Sequence, residues 1–208
     1  MTDVLELLGE SKVIAIIRGF DPEASVAVAE ALAGGGVKLI EVTFNSPGAA
    51  ESIQAVARMP GVVCGAGTVL VESQVATAVE RGARFIVAPN AHERVVRAAR
   101  MMGAACIPGA MTPTEVLMAA RWGADAVKVF PASVVGPAFF REMKGPLPHI
   151  RLVATGGITA DNAGEFVRAG AFAVGMGGSL VPKEAVQSKD WPRIMALAQR
   201  VVSSLKAD

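Results

Sequence analysis

Residues 13–43 read VIAIIRGFDPEASVAVAEALAGGGVKLIEVT, and the fold turns on how this stretch divides. Its two ends, 13–18 and 39–43, are short apolar runs rich in β-branched residues. That composition suits strands buried on both faces of a parallel sheet. Between them, 22–33 has a helical period. Asp21 ahead of Pro22 is a start signal, because a short polar side chain satisfies free N–H groups and proline has no N–H to lose. The glycines at 34–36 supply the stop. A strand, a helix and a second strand in this order form a βαβ unit, whose crossover makes the two strands parallel.

The unit repeats along the chain. Further strand-like runs fall at 62–68, 85–88, 105–108, 126–130, 151–155 and 173–175, and helical periods at 47–58, 72–81, 93–102, 114–121 and 161–169. Ser46 before Pro47 and Thr112 before Pro113 repeat the start signal, and Asp161 is expected to cap its helix. Gly82, Gly103, Gly123 and Gly170 repeat the stop. Eight strands in 208 residues leave about 26 residues for each strand-and-helix unit, which fits a small barrel near the lower size of about 200. The expectation is an α/β fold, a single (β/α)8 TIM barrel forming one domain over residues 1–208. An open doubly wound sheet is the alternative. Against it, no strand is followed by a GxGxxG turn with an acidic residue about 20 positions on. Gly65-Ala66-Gly67 begins that way but continues Thr-Val-Leu.

Composition narrows the function. Twenty basic against 19 acidic residues give a net charge of +1, which removes the electrostatic footprint of a nucleic-acid or anionic-membrane binder. Cys64 and Cys106 lie inside apolar runs and form neither a disulfide framework nor a metal-ligand pattern. The opening residues carry no basic, then apolar, leader, and no run approaches the roughly 18 apolar residues of a membrane span. A soluble cytoplasmic globule is expected, and neither the cysteines nor a GxGxxG turn points to a metal or a dinucleotide cofactor.

In such barrels the chemistry lies at the carboxyl ends of the strands. Those ends offer Arg18, Glu41 to Asn45, Thr68, Pro89-Asn90, Lys128, Thr155 with Gly156-Gly157, and Gly177-Gly178-Ser179. Lys128 is flanked by valines, and alternation groups it with Ala126 and Phe130 on one face. Desolvation there lowers an ammonium pKa and frees a nucleophilic amine. Lys38 has similar apolar neighbours but precedes its strand, where solvation is easy. Glu41 sits inside an apolar strand, and a buried carboxylate is costly alone. It suits an ion pair with Lys128 or Arg18, a general acid/base role, or both. The planar fork of Arg18 suits a substrate carboxylate, or a rim ion pair. Glycine turns after the seventh and eighth strands, Gly156-Gly157 and Gly178-Ser179, suit a phosphate, or serve tight turning alone. His92 either lines the site or starts a helix. His149 precedes a strand on the opposite face, so the two histidines make no zinc site. Met101, Met102 and Trp122 read as packing residues.

Taken in order, these motifs resemble a family. They are 14–18, EVT at 41–43, GAGTV at 65–69, Pro108-Gly109, KVFP at 128–131, TGGI at 155–158 and Gly177-Gly178-Ser179. They look like the 2-keto-3-deoxy-6-phosphogluconate and 4-hydroxy-2-oxoglutarate aldolases, with the phosphogalactonate branch nearest. The resemblance runs from about Ser11 to the end of the chain. It implies a homotrimer of barrels using class I, Schiff-base chemistry without a metal. Lys128 would form an imine at C2 of the substrate and Glu41 would move protons. Thr68 would contact the pyruvyl part, and Phe130 would lie beside the imine. The turns Gly156-Gly157 and Gly178-Ser179 would hold the phosphate, with Arg18 on the carboxylate. The implied products are pyruvate and glyceraldehyde 3-phosphate. One departure stands out. Phosphogluconate-type members read EVTLRT with a carboxylate-gripping arginine, whereas this chain has Phe44-Asn45-Ser46-Pro47. The Asn-Ser-Pro segment and 86–92 resemble the phosphogalactonate branch; 143–146 and Thr155 resemble the gluconate one. The alternatives are a phosphate-binding barrel isomerase or synthase without an imine, and a binding barrel without chemistry.

Overall fold

The computed structural model describes residues 3–206. Its strands are β1 (Val13–Ile17), β2 (Leu39–Thr43), β3 (Val63–Gly67), β4 (Phe85–Val87), β5 (Ala105–Ile107), β6 (Gly109–Ala110), β7 (Val127–Val129), β8 (Leu152–Thr155) and β9 (Ala173–Met176). They are parallel, in the order β5-β4-β3-β2-β1-β9-β8-β7-β6. β5 and β6 stand at opposite ends of that order, yet only Pro108 separates them in the chain. Proline has no N–H for a ladder, so it interrupts one strand without ending it. The bonding continues on both sides of the break. Gly109 N–H donates to Asn90 O at 3.2 Å, and Lys128 N–H donates to Pro108 O at 2.9 Å. The sheet therefore closes into the (β/α)8 barrel, with the fifth strand running on to Ala110. A Cβ on Gly109 would lie 2.2 Å from Pro89 O, so the absence of a side chain is what lets the strands meet.

The helices are α1 (Val4–Ser11), α2 (Pro22–Gly34), α3 (Ala49–Ala57), α4 (Glu72–Glu80), α5 (Glu93–Met101), α6 (Pro113–Trp122), α7 (Ala132–Met143), α8 (Ala163–Ala169), α9 (Lys183–Gln187) and α10 (Trp191–Lys206). Asp21 caps α2, its carboxylate accepting from Ala24 N–H at 2.9 Å, and Thr112 forms a capping box with Glu115 on α6. Two expected caps are absent. α3 begins after Gly48, and Ser46 accepts from Gly19 N–H instead. Asp161 pairs with Arg200, while Asn162 precedes α8. Met101 and Met102 are exposed, by 88% and 39%, rather than packed. α7 carries a break at Gly136 (φ 69°, ψ 175°) ahead of Pro137, which hides its period in the sequence. Among the described residues, no helix is long and apolar enough to cross a membrane.

Two layers of side chains fill the inside of the barrel. Val4, Leu7 and Leu8 of α1 close the amino end by packing on Ile14, Leu39, Phe85, Val87, Ile107, Ala126 and Val153. Outward-facing residues such as Ile40, Val42, Ala66 and Val129 form the larger core under the helices. Alternation then places Glu41 above Leu39 and Lys128 above Ala126, so the upper layer is polar where the lower one is apolar.

Candidate active site

The upper barrel holds two buried ionisable groups. Lys128 is 3% exposed and Glu41 is 1% exposed. The Lys128 ammonium lies 5.0 Å from the centre of the Phe130 ring, so Ala126, Lys128 and Phe130 share the inward face, as alternation requires. Glycines make the room. A Cβ on Gly67 would stand 1.7 Å from Glu41 Oε1, and one on Gly175 would stand 2.5 Å from Thr155 Oγ1. Side chains at those two places would occupy the volume that the polar groups need.

The electrostatics follow from that burial. Desolvation pushes the Glu41 carboxyl above the ordinary carboxylate range, and the charges of Lys128 and then Arg18 oppose the rise. Desolvation pushes the Lys128 amine below the ordinary lysine range. Glu41 opposes that fall, and Arg18 adds to it. Glu41 Oε1 has no hydrogen-bond partner. The carboxylate is thus coupled to Lys128 and Arg18 through their fields, rather than through the direct ion pair that the sequence allowed. A buried acid and a buried amine, each biased toward its neutral form, suit proton transfer and nucleophilic attack on a carbonyl.

Above them opens a cleft of about 250 Å³ at the carboxyl ends of the strands. Of the residues singled out from sequence, Arg18, Lys128, Phe130, Gly156, Gly157 and Ser179 line it. Glu41 lies in the buried layer rather than in the lining. Thr68 follows β3 and Gly178 follows β9; neither is a lining residue. Thr68 adopts φ 55°, a left-handed conformation that is uncommon outside glycine and that concentrates at functional sites. Arg18 is exposed, and its Nη1 donates to Asn45 Oδ1 at 3.2 Å. His92 stands at the start of α5 and lines no part of the cleft, and Lys38 is exposed before β2.

The two glycine turns meet across the cleft. Gly156 and Gly157 have φ of 94° and 74°, and Ser179 Oγ donates to Ile158 O at 2.6 Å, tying the turn after β8 to the turn after β9. Leu180 and Val181 N–H both donate to Gly177 O, which leaves Gly178 and Ser179 inside that second turn. Exposed backbone N–H groups in such turns form an anion cradle. Sequence reading missed Ile16, Ile158, Thr159 and Gly175 as lining residues, and named Thr155 and Gly177 only as strand-end residues. Ile16 and Gly175 stand two positions before Arg18 and Gly177, so period two was the signal that could have found them. Among the described residues, no cluster of three or more His, Cys, Asp or Glu side chains is placed to hold a metal ion.

Comparison with known proteins agrees in sequence and in fold. The family model described as "Aldolase: KDPG and KHG aldolase" matches residues 4–197. A probable 2-dehydro-3-deoxy-6-phosphogalactonate aldolase of Rhizobium meliloti is 37% identical over 95% of this chain and 92% of its own length. The 2-dehydro-3-deoxy-phosphogluconate aldolase of Treponema pallidum is 36% identical over 97% of each chain. The crystal structure of a KDPG aldolase from Legionella pneumophila, with pyruvate captured as a covalent carbinolamine intermediate, superposes with a TM-score of 0.89. It is 30% identical, over 96% of this chain and 98% of that one.

Proposed function

The chain belongs to the KDPG and KHG aldolase family, and from that premise we propose how its residues divide the reaction between them. It is a class I aldolase, a carbon–carbon lyase that cleaves 2-keto-3-deoxy-6-phosphogalactonate or the gluconate epimer to pyruvate and glyceraldehyde 3-phosphate. The observation that carries the assignment of roles is the pairing of a desolvated Lys128 with a buried, hydrogen-bond-free Glu41 oxygen under one cleft.

The amine of Lys128 attacks C2 of the substrate to give a carbinolamine, and loss of water gives an iminium. Glu41, biased toward its protonated form, donates the proton that the departing hydroxyl needs and takes up a proton in the following step. Deprotonation of the C4 hydroxyl breaks the C3–C4 bond. The electron pair moves into the iminium, so an enamine forms rather than a bare carbanion, and glyceraldehyde 3-phosphate departs. Protonation at C3 and hydrolysis then release pyruvate and the free lysine. Arg18 grips the pyruvyl carboxylate, and Thr68 contacts the pyruvyl part. The N–H groups of Gly156, Gly157, Gly178 and Ser179 receive the phosphate. Fixing both ends of the substrate makes the reacting geometry effectively unimolecular.

A homotrimeric, cytoplasmic enzyme is part of this reading. Leu70, Val71, Met111, Met118 and Val134 are exposed apolar side chains, which supports burial against further copies. Sedimentation equilibrium tests it, and a monomer in solution would remove it. The chemistry is tested by borohydride reduction in the presence of pyruvate, followed by peptide mapping. A single adduct on Lys128, absent from Lys128→Ala, is the expected result. A folded wild-type protein with no adduct refutes the imine. Assay with each epimer then decides the configuration accepted at C4.

A further inference from the structure

The Asn45-Ser46-Pro47 segment is the part of the upper barrel that the proposed chemistry leaves unused. It replaces the stretch that carries a carboxylate-gripping arginine in phosphogluconate-type sequences. Here it is bonded to the Arg18 side chain and to the backbone of Gly19 beside it. Gly19 N–H donates to Ser46 Oγ at 2.8 Å, the Ser46 and Thr43 hydroxyls share a bond of 3.1 Å, and Thr43 Oγ1 donates to Ile17 O at 3.3 Å. These three bonds form one chain. It starts at the residue after Arg18 and ends at the residue before it, and Thr43 and Ser46 are both buried. Ser46 N–H also closes a turn on Thr43 O at 3.0 Å, and Phe44 N–H is held by Gly67 O at 2.9 Å. The turn that carries Asn45 is thereby fastened to β1 on one side and to β3 on the other. From it, Asn45 Oδ1 takes the bond from Arg18 Nη1 at 3.2 Å.

We propose that Asn45 is a positioning residue that holds the Arg18 guanidinium at the cleft for the substrate carboxylate. The proposal rests on the reading of Arg18 as the carboxylate grip. Guanidinium has five N–H groups in a fixed fork, and one bond to Asn45 leaves the others for a carboxylate. An exposed arginine must otherwise give up the freedom of a long side chain each time it grips, and a partner on a fastened turn removes part of that cost before the ligand arrives. The same placement sets the field at Lys128, because Arg18 is one of the two charges that act on that amine. The other is Glu41 from β2. On the inward face, β3, β8 and β9 present Gly65, Gly67, Thr155 and Gly175, which do not titrate.

The test is a titration with pyruvate, read as borohydride trapping on Lys128, for wild type, Asn45→Ala, Arg18→Ala and the double variant. Arg18→Ala should raise the half-saturating pyruvate concentration by about tenfold or more, as loss of a charge-assisted bond requires. Asn45→Ala should raise it about fivefold, with the saturated trapping rate within about twofold of wild type. In the Arg18→Ala background the same substitution should add nothing. The rising limb of trapping against pH should move to higher pH in Asn45→Ala, since a displaced Arg18 no longer depresses the Lys128 amine. A merely structural role would leave that limb in place. Asn45 is exposed, so the variant should melt with wild type. Unchanged half-saturation in Asn45→Ala, while Arg18→Ala is impaired, overturns the proposal. So does an equal loss in both backgrounds. If Arg18→Ala itself binds pyruvate normally, the reading of Arg18 as the grip fails, and this proposal fails with it.

Discussion

Replacing Gly67 with alanine tests whether Glu41 must keep its seat. The new methyl would lie 1.7 Å from Glu41 Oε1, 2.4 Å from Cδ and 2.6 Å from Cγ, whereas Cβ atoms essentially never approach another atom within 3.0 Å. The backbone has little room to yield. Gly67 is in register with Thr43 of β2, and its carbonyl holds Phe44 N–H at 2.9 Å. Gly67 is not one of the glycines with positive φ, so alanine adds no backbone strain there and its effect is steric. The carboxylate must therefore retreat by more than about 1 Å, a displacement of the size that costs about a hundredfold in rate when a reacting geometry depends on it. Overpacking should also cost about 1–3 kcal/mol of stability. Pyruvate release, followed through a lactate dehydrogenase couple, should show kcat lower by about a hundredfold. Glu41→Ala combined with Gly67→Ala should melt above Gly67→Ala alone, because the clash has gone. If Gly67→Ala keeps half of the wild-type kcat, Glu41 does not work from this position, and the division of roles between Glu41 and Lys128 is wrong.

Glu41 also sets a pH dependence of stability. Its carboxyl is raised above the ordinary 4.5, so the native state keeps a proton that the unfolded chain gives up as pH rises past that value, and wild-type stability falls with pH across the window. Glu41→Gln has nothing to ionise there. Its advantage in urea unfolding should grow from about pH 4.5 upward and level off once Glu41 ionises in the native state, and a difference constant with pH would refute the burial argument. Lys128→Met should remove a desolvation cost at neutral pH while ending imine formation, so its melting temperature should equal or exceed that of wild type; a clear loss would mean that the ammonium is well paired in the fold. Thr112→Ala removes the capping box of α6 and should lower stability by about 1 kcal/mol, seen as a fall of about 2–4 °C in Tm, with kcat unchanged.

Much of this protein is set locally, and that part is readable from the chain alone. A buried parallel strand must be short and apolar, a helix between strands must carry its period, and caps and glycine stops must flank it. Hence 13–43 already specifies a βαβ unit, its repetition specifies the barrel, and strand-end position picks out Arg18, Glu41 and Lys128. The broken period of α7 and the reassigned Ser46 and Asp161 show where local signals compete with tertiary bonds. The sequence cue at Ser46 is a cap, but Gly19 N–H offers a better use for its hydroxyl. Closure of the barrel across Pro108 likewise depends on partners 20 or so residues away, as does the fit of Gly67 against Glu41. The state of the two ionisable groups is decided by the folded environment. Lys128 and Glu41 are ordinary residues in the chain, and only burial in a common layer moves their proton affinities toward the reaction, with Arg18 adding to the fall at Lys128 and opposing the rise at Glu41.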